Sequence, residues 1–404
     1  MTFQPLAEIA DIGRDRELGG WSRHLLDPAD RALREWFVGR AQELGLQTEV
    51  DANANIWAWW GEPGPDSVVT GSHLDSVPGG GAFDGPLGVV SALEAVGRLR
   101  STGFVPRRPL AVVAMAEEEG SRFSVACLGS KLLSGALPAE RALGLRDRDG
   151  FSLAETLDRA GLAPERAGRD PGALSRIGLF VELHVEQGRG LIELDSPVGL
   201  ASNILGHGRW RLVFDGEGNH AGATRMQDRR DPMVAAAATV AAIPAVAMAH
   251  PGSRATVGRV RAVPGGTNVI ASRVEVFLDA RAEDDLLTRR LVHEITELAA
   301  ARAAENGCSS RLVEDSWLPT VHFDPAVREG LADALAPGFG TVPVLPTGAG
   351  HDAGVLSEYV PTAMIFVRNP SGVSHAPAEW ASAEDCWAGV DALTAVLTAH
   401  LAAR

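Results

Sequence analysis

The sequence predicts an α/β protein of two domains, in which a ferredoxin-like β-α-β-β-α-β domain is inserted into a domain with a mostly parallel sheet. At 404 residues the chain is longer than one compact core usually allows. The first half alternates short apolar runs with helical patterns, which is typical of parallel strands covered by helices. This pattern changes between about Gly206 and Asp315.

Four apolar runs in the first domain predict buried strands, because a strand covered on both faces is hydrophobic along its whole length. They are Ser67–Gly71, Pro109–Met115, Gly178–His184 and Thr362–Val367. The segment Pro86–Leu99 has helical spacing and begins with proline, a residue favoured in the first helical turn. These elements predict a mostly parallel sheet in a domain made of residues 1–205 and 321–404.

The inserted domain, residues 206–320, is predicted from six elements in the β-α-β-β-α-β order. They are strand Arg209–Phe214, helix Asp231–Ala249, strands Thr256–Val263 and Val269–Asp279, helix Asp284–Glu305 and strand Arg311–Glu314. The Pro-Gly-Gly turn at Pro264–Gly266 joins the two middle strands. The helix with Pro244 is rich in alanine and short for a membrane span, so it is interpreted as a packed helix.

Composition and cysteine usage limit the classes of partner and compartment. The chain has 37 Lys and Arg against 52 Asp and Glu, a net charge of −15, which argues against nucleic acid or an anionic membrane as a main partner. Cys127, Cys308 and Cys386 are far apart and odd in number, which fits a reducing cytoplasm rather than a disulfide framework. The first 20 residues lack the basic and apolar regions of a signal peptide. A cytoplasmic location is therefore expected.

Histidine and acidic residues follow the predicted strands at the points where the strands end. These residues are His73, Asp75 and Asp84, then Glu117, Glu118 and Glu119, then His184, and finally His375. Because sites in open α/β sheets form beyond the carboxyl ends of the strands, we expect these side chains to meet. Imidazole and carboxylate ligands suit zinc, manganese, cobalt or nickel better than calcium or magnesium. Asp75, two residues after His73, is expected to accept the second ring N–H of that histidine.

The motifs HLD, GGxFDGxxG, EEEGSRF, ELHVEQG and SHAP occur in this order and cover almost the whole chain. Together they resemble the M20-type dinuclear metallohydrolases. More narrowly, they resemble the hydantoinase/carbamoylase branch, which includes N-carbamoyl-L-amino acid amidohydrolases, β-ureidopropionases and allantoate amidohydrolases. The resemblance implies two divalent ions, Zn²⁺ or Mn²⁺ with Co²⁺ or Ni²⁺ as alternatives. Asp84 would bridge them, His73 and His184 would complete one site, and Glu119 and His375 the other.

The same resemblance implies the chemistry and the remaining site residues. Glu118 would be the general base that activates a water and returns the proton to the leaving nitrogen. The other implied residues are His220, which polarises the scissile carbonyl across a dimer interface, Asn268 and Arg281, which hold the substrate carboxylate, Gln187 near the amide end, and His351 in the substrate pocket. Residues 206–320 would then be a lid and dimerisation domain of a homodimer that cleaves a small anionic amide or ureido substrate. The Asp84–Gly85 peptide bond is expected to be cis.

Several alternatives stay open at this point. The Gly79–Gly81 run lacks the Lys-Ser/Thr sequel of a phosphate loop, which argues against nucleotide binding. Glu117 is expected to be structural or solvent-facing. Arg225 stands where the branch more often has proline, and it could favour a second acidic group on the substrate. The rival functions are an M20-type aminoacylase or dipeptidase, and a non-catalytic metal-stabilised binding protein.

Overall fold

The computed structural model describes residues 3–402 of the chain. The chain forms two compact units. One contains the described residues up to Asn203 and again from His322 onward, and the other is Ile204–Val321. The strands, numbered in chain order, are β1 (Gln47–Val50), β2 (Ile56–Trp60), β3 (Val68–His73), β4 (Leu110–Met115), β5 (Leu179–Val185), β6 (Val198–Ile204), β7 (His207–Asp215), β8 (Asn219–His220), β9 (Arg254–Val263), β10 (Val269–Ile270), β11 (Arg273–Arg281), β12 (Ser309–Leu318), β13 (Val321–His322), β14 (Val344–Thr347) and β15 (Thr362–Val367).

The helices range from single turns to 21 residues in length. In chain order they are α1 (Gln4–Ala7), α2 (Pro28–Glu43), α3 (Pro86–Ser101), α4 (Leu128–Ser134), α5 (Ala139–Leu143), α6 (Leu153–Arg159), α7 (Pro171–Leu174), α8 (Gly190–Glu193), α9 (Pro232–Met248), α10 (Asp285–Glu305), α11 (Pro325–Phe339), α12 (Asp352–Leu356) and α13 (Ala383–Ala402), with short 3-10 turns at Pro164–Arg166 and Met226–Asp228. Within residues 3–402, none of the helices combines the length and the apolar character that a membrane span requires.

The sheet of the first unit is parallel at its centre and antiparallel at its sides. Its order is β1-β2-β4-β3-β5-β15-β6-β13, with β14 paired to β6. The pairs β4–β3, β3–β5 and β5–β15 are parallel, whereas β1–β2, β2–β4 and β15–β6 are antiparallel. Every residue of the four central strands is buried. These four are the strands predicted from the apolar runs, and their carboxyl ends meet at one edge.

Helix α3 lies against this sheet and begins directly after the turn that carries Asp84. Gly85 precedes the helix with a φ of 82°, and Pro86 occupies its first turn. A Cβ at Gly85 would lie 2.3 Å from Cε1 of His73, so only glycine leaves room for that imidazole. The peptide bond expected to be cis here is not: among residues 3–402 the cis bond is Val263–Pro264.

The second unit has a four-stranded antiparallel sheet in the order β12-β7-β11-β9. Helices α9 and α10 pack against it through apolar residues such as Ala236 and Ile295, around a core that includes Trp210 and Phe214. The strand predicted at Val269–Asp279 is divided in two. Its first residues form β10, which pairs with β8 in a separate ribbon, and the main strand begins only at Arg273.

The two ends of the second unit lie side by side. His207 in β7 pairs with Leu318 in β12, and the Gly206 N–H donates to Oγ1 of Thr320 at 3.0 Å. The chain therefore enters and leaves this unit through neighbouring residues, as an insertion requires.

Candidate metal centre

The parallel strands deliver the predicted ligands to one edge of the sheet. His73 is the last residue of β3, and His184 is the next to last of β5. Glu118 and Glu119 follow β4, and His375 lies in the loop after β15. Placement at strand ends leaves the side chains fixed by the sheet while the loops beyond it remain free to approach a ligand.

The first group of donor atoms comprises Asp84, His73 and His184, which are all buried. Nε2 of His184 lies 3.2 Å from Oδ1 of Asp84, and Nε2 of His73 lies 3.7 Å from the same oxygen. The three donor atoms lie within 4.8 Å of one another, close enough to hold one metal ion.

The second group comprises Asp84, Glu119 and His375. Nε2 of His375 lies 3.4 Å from Oδ2 of Asp84 and 3.4 Å from Oε2 of Glu119. Asp84 therefore contributes its two oxygens to two different groups. This is the arrangement that a carboxylate shared by two neighbouring cations requires.

The hydrogen bonding of the imidazoles fits metal ions. Nδ1 of His73 lies 3.0 Å from the main-chain oxygen of Asp75, and Nδ1 of His184 lies 2.9 Å from that of Val185. A carbonyl partner requires Nδ1 to carry the hydrogen, which leaves the lone pair on Nε2. Both Nε2 atoms are buried without a hydrogen-bond partner among the described residues. Such a lone pair, facing a carboxylate, suits a cation held between the two.

The charges of the cluster also favour bound metal ions. Burial, reinforced by the charge of Asp84, raises the pKa of Glu119 to about 8. Burial and the charge of Asp75 raise the pKa of Glu117 to about 8 as well. Burial alone would raise the pKa of Asp84, but the neighbouring imidazoles, with His184 first, lower it below its ordinary value. Carboxylates are therefore in excess here, and divalent cations would compensate their charge.

Glu118 lies beside the first donor group, with its Oε2 atom 3.7 Å from Nε2 of His73. It is buried, and its pKa is raised well above the ordinary value, chiefly by burial and further by the charges of Asp352 and Glu119. Asp75 holds this segment through the main chain: its two oxygens accept the N–H groups of Glu118 and Glu119, each at 3.1 Å. Its carboxylate lies 3.5 Å from Nδ1 of His73, so the carbonyl of Asp75 is the closer partner of that ring.

Gln187 and His351 also lie at this centre. Nε2 of Gln187 donates to Oδ2 of Asp84 at 2.9 Å and to Oγ of Ser374 at 3.0 Å, so this amide contacts the shared carboxylate directly. The ring of His351 stands edge-on to that of His184, with 4.4 Å between the ring centroids. Burial and the charge of His184 lower the pKa of His351 well below its ordinary value.

The other predicted substrate residues belong to the second unit. His220 and Asn268 are exposed. Nδ1 of His220 accepts the N–H groups of Gly222 and Ala223, each at 3.1 Å, so its hydrogen is on Nε2 and available to donate. Arg281 is paired with Asp279 at 2.8 Å, and Arg225 with Asp228 at 2.7 Å.

Three residues at this centre were missed in the sequence. Oε1 of Glu379 accepts the N–H groups of Phe83 and Asp84, both at 3.0 Å, and so fixes the turn that carries Asp84. Ser374 donates to Oδ2 of Asp84 at 3.2 Å, and Cys127 contacts Glu118. Ser374 is the first residue of the SHAP motif and Glu379 stands two residues after it, so this motif was the only signal for both.

Glu117 has a structural role, and the alternative of a solvent-facing position was wrong. Its side chain is buried, and its Oε1 atom accepts the N–H groups of Arg122 and Phe123 at 2.6 and 2.8 Å. Glu117 therefore closes the turn after β4 and leaves the next two glutamates facing the centre.

Comparison with known proteins agrees with this geometry. The sequence model described as peptidase family M20/M25/M40 matches residues 69–399. The chain is 38% identical over 397 residues to an N-carbamoyl-L-amino acid amidohydrolase from Geobacillus stearothermophilus, covering 97% of this chain and 96% of that protein. It is 33% identical over 358 residues to an allantoate amidohydrolase from Bacillus subtilis (strain 168), covering 88% and 86%.

A solved structure gives the same result for the fold. The crystal structure of an amidase of the hydantoinase/carbamoylase family from Burkholderia multivorans matches with a TM-score of 0.87 and 33% identity, covering 99% of this chain and 97% of that one. Because the family's sequence model spans most of the chain, and relatives of more than 30% identity do the same, the protein belongs to peptidase family M20/M25/M40.

Proposed function

We propose that the protein is a metal-dependent amidohydrolase that cleaves a linear C–N bond in an N-carbamoyl-L-amino acid or an allantoate-like substrate. The observation that supports this most is the pair of donor groups sharing Asp84, with the carboxylate of Glu118 beside them. A purely structural metal site has no need for a buried carboxylate next to its ligands. The two relatives named above act, by their names, on a carbamoyl amino acid and on allantoate.

The two donor groups would each hold one divalent ion, Zn²⁺ or Mn²⁺ with Co²⁺ or Ni²⁺ as alternatives. Once bound, the ions would supply Lewis-acid activation of a water molecule and of the scissile carbonyl. Oε2 of Glu118, the oxygen on the side of His73, accepts the proton of the attacking water. The same oxygen then returns that proton to the leaving nitrogen.

The other predicted residues would bind the substrate. Arg281 and Asn268 bind its carboxylate, since a guanidinium fork matches a carboxylate with two hydrogen bonds. Nε2–H of His220 stabilises the oxyanion that develops on the scissile carbonyl. Gln187 and His351 would line the substrate pocket on the side of Asp84, the shared carboxylate. In this proposal the second unit is a ferredoxin-like lid and dimerisation domain of a cytoplasmic homodimer, and His220 acts across the dimer interface.

The test uses the Mn²⁺- or Zn²⁺-loaded protein with N-carbamoyl, N-formyl and N-acetyl amino acids and with allantoate. We expect ammonia from the carbamoyl acid or from allantoate, together with the free amine where one is formed. Turnover confined to N-acetyl or peptide substrates would contradict the ureido specificity and favour an aminoacylase. No turnover on any substrate by the metal-loaded protein would contradict the enzymatic function itself.

The role of Glu118 is tested with Glu118→Gln, which keeps the size of the side chain and removes the basic oxygen. We expect kcat to fall by at least about 100-fold, because a general base contributes about 10²–10⁴ in rate. Metal content by mass spectrometry is the control and should be unchanged. A variant that binds metal and keeps its kcat would remove Glu118 from the reaction.

A further inference from the structure

The thiol of Cys127 contacts the carboxylate of Glu118 in the interior of the first unit. Cys127 is 4% exposed, and its Sγ atom donates to Oε1 of Glu118 at 3.2 Å. The other oxygen, Oε2, lies on the side of His73. The two oxygens of this carboxylate thus have different surroundings, one facing a thiol donor and the other facing the metal ligands.

The position of the thiol is fixed by the main chain around it. The Cys127 N–H donates to the carbonyl of Glu118 at 2.6 Å, and the N–H groups of Leu128 and Gly129 donate to the carbonyls of Glu117 and Ala116 at 3.1 and 2.8 Å. These three bonds hold residues 127–129 against residues 116–118, which directly follow β4. Cys127 itself has a φ of 54°, a left-handed conformation, and it directly precedes α4.

We propose that Cys127 is a positioning residue for the general base, and that its S–H group holds Oε1 so that Oε2 stays turned toward the metal ligands. This inference rests on the proposed function. A buried acceptor without a hydrogen-bond partner costs free energy, so a buried carboxylate with one unpaired oxygen can rotate until that oxygen meets another donor. The thiol satisfies the oxygen that does not react and leaves the reacting oxygen in place.

The kinetic test compares Cys127→Ala, which removes the donor, with Cys127→Ser, which replaces it by a hydroxyl. In the metal-loaded protein we expect the alanine variant to lose about tenfold in kcat, the size of one hydrogen bond to a charged group, with KM and metal content unchanged. The serine variant should keep kcat within about threefold of the parent, because a hydroxyl can donate to the same oxygen. A parental kcat in the alanine variant, or a serine variant as slow as alanine, would overturn the proposal.

A matched control is available in the same unit. Cys386 in α13 is also buried, and it belongs to the hydrophobic core of the first unit. Cys386→Ala should therefore lower the melting temperature without changing kcat. An equal loss of kcat in Cys386→Ala would mean that the effect at Cys127 is a general loss of packing, which would overturn the positioning role.

A second measurement does not depend on turnover. The infrared S–H stretching band of Cys127 is isolated by subtracting the spectrum of Cys127→Ala from that of the metal-loaded parent. We expect this band at lower wavenumber than that of Cys386, isolated in the same way, and a shift to higher wavenumber in Glu118→Gln, because a neutral amide is a weaker acceptor than a carboxylate. A band that does not respond to Glu118→Gln would overturn the proposal.

The failure of this inference can be distinguished from the failure of the proposed function. If Glu118→Gln keeps its turnover, the base assignment fails and the positioning role fails with it. If Glu118→Gln is inactive while Cys127→Ala has the parental kcat, the proposed function stands and only the role of Cys127 is lost.

Discussion

At the scale of single residues, the carboxylate of Asp75 acts on the main chain. Its two oxygens accept the N–H groups of Glu118 and Glu119, so one side chain sets the position of both glutamates. The spacing of the HLD motif predicts that this carboxylate holds the ring of His73. In the structure the carbonyl of Asp75 is closer to that ring, at 3.0 Å, which leaves the carboxylate to the turn after β4.

Changing Asp75 to Asn should therefore weaken metal binding without removing a ligand. The amide offers only one acceptor oxygen and no charge, so one of the two N–H groups loses its partner. We expect the metal affinity to fall about 10–100-fold, as is usual for residues that orient ligands. The measurement is a chelator competition, with Asp66→Asn at an exposed position as the control. An affinity equal to that of the control would show that Asp75 is dispensable.

The shared position of Asp84 makes a prediction about stoichiometry. Asp84→Ala removes an oxygen from both donor groups, whereas His375→Ala removes a ligand from one. We expect metal analysis to find close to no tightly bound ion in the first variant and close to one in the second. Equal metal content in the two variants would contradict the bridging assignment.

The clustering of His73, Glu119 and His184 could be predicted because these residues stand at the ends of predicted strands. Their roles as ligands, like those of Asp84 and His375, came from the resemblance to the family and stay predictions.

The contacts of Gln187 and Glu379 could not be predicted, since both reach Asp84 from loops distant in the chain. Cys127 lacked a signal altogether, because it stands in the loop before α4 and meets Glu118 only through the folding of residues 116–129.

At the scale of elements, α3 approaches the sheet through a glycine. A Cβ at Gly88 would lie 2.2 Å from the carbonyl oxygen of Leu183, so the helix packs directly on the backbone of β5. Gly97, in the same helix, is different: its nearest atom would be the flexible Cδ2 of Leu44 at 3.5 Å. The two glycines therefore form a matched pair.

Gly88→Ala should destabilise the protein by about 1–3 kcal/mol, the usual cost of overpacking. Gly97→Ala should instead stabilise it by up to about 1 kcal/mol, because alanine has the higher helix propensity. The measurement is the free energy of unfolding in urea of the metal-loaded proteins. If both substitutions change the free energy of unfolding in the same direction, the close approach of α3 to β5 does not determine how this helix tolerates an added methyl group.

The elements that could be predicted well from the sequence are those marked by a clear run of apolar residues. The four central strands are mostly apolar and wholly buried, and the bounds of β15 agree with the prediction residue for residue. The outer strands β1 and β6 lacked such a signal. In β10 and β11 the apolar pattern runs on, but the chain turns between Ile270 and Arg273, so a single predicted strand became two.

At the scale of the whole molecule, the crowding of carboxylates links stability to pH in the metal-free protein. The pKa values of Glu117 and Glu119 are about 8 in the folded state, against an ordinary value of 4.5. The folded protein then holds protons that the unfolded chain has already released. The free energy of unfolding therefore falls as the pH rises through about 8. The pKa of His351 is lowered, so this residue makes the free energy of unfolding rise with pH, but only at pH values below about 6.5, its ordinary pKa.

We expect the melting temperature of the metal-free protein to decrease steadily between pH 6.5 and about 8. In the metal-loaded protein the decrease should be much smaller, because cations stabilise the ionised carboxylates. Thermal unfolding followed by circular dichroism in matched ionic strength measures both. A metal-free protein that becomes more stable over this range would mean that the buried carboxylates are already ionised.

The insertion of the second unit also determines the order in which the two units can be completed during synthesis. A ribosome releases all the strands of Ile204–Val321 before it has made β15, the strand that stands between β5 and β6 in the other sheet. Domains fold as units as they emerge, so the inserted unit is complete while the sheet of the first unit still lacks β15. His375 emerges later still. A chain that ends before His375 lacks a member of the second donor group, and we expect it to retain at most the ion of the first group.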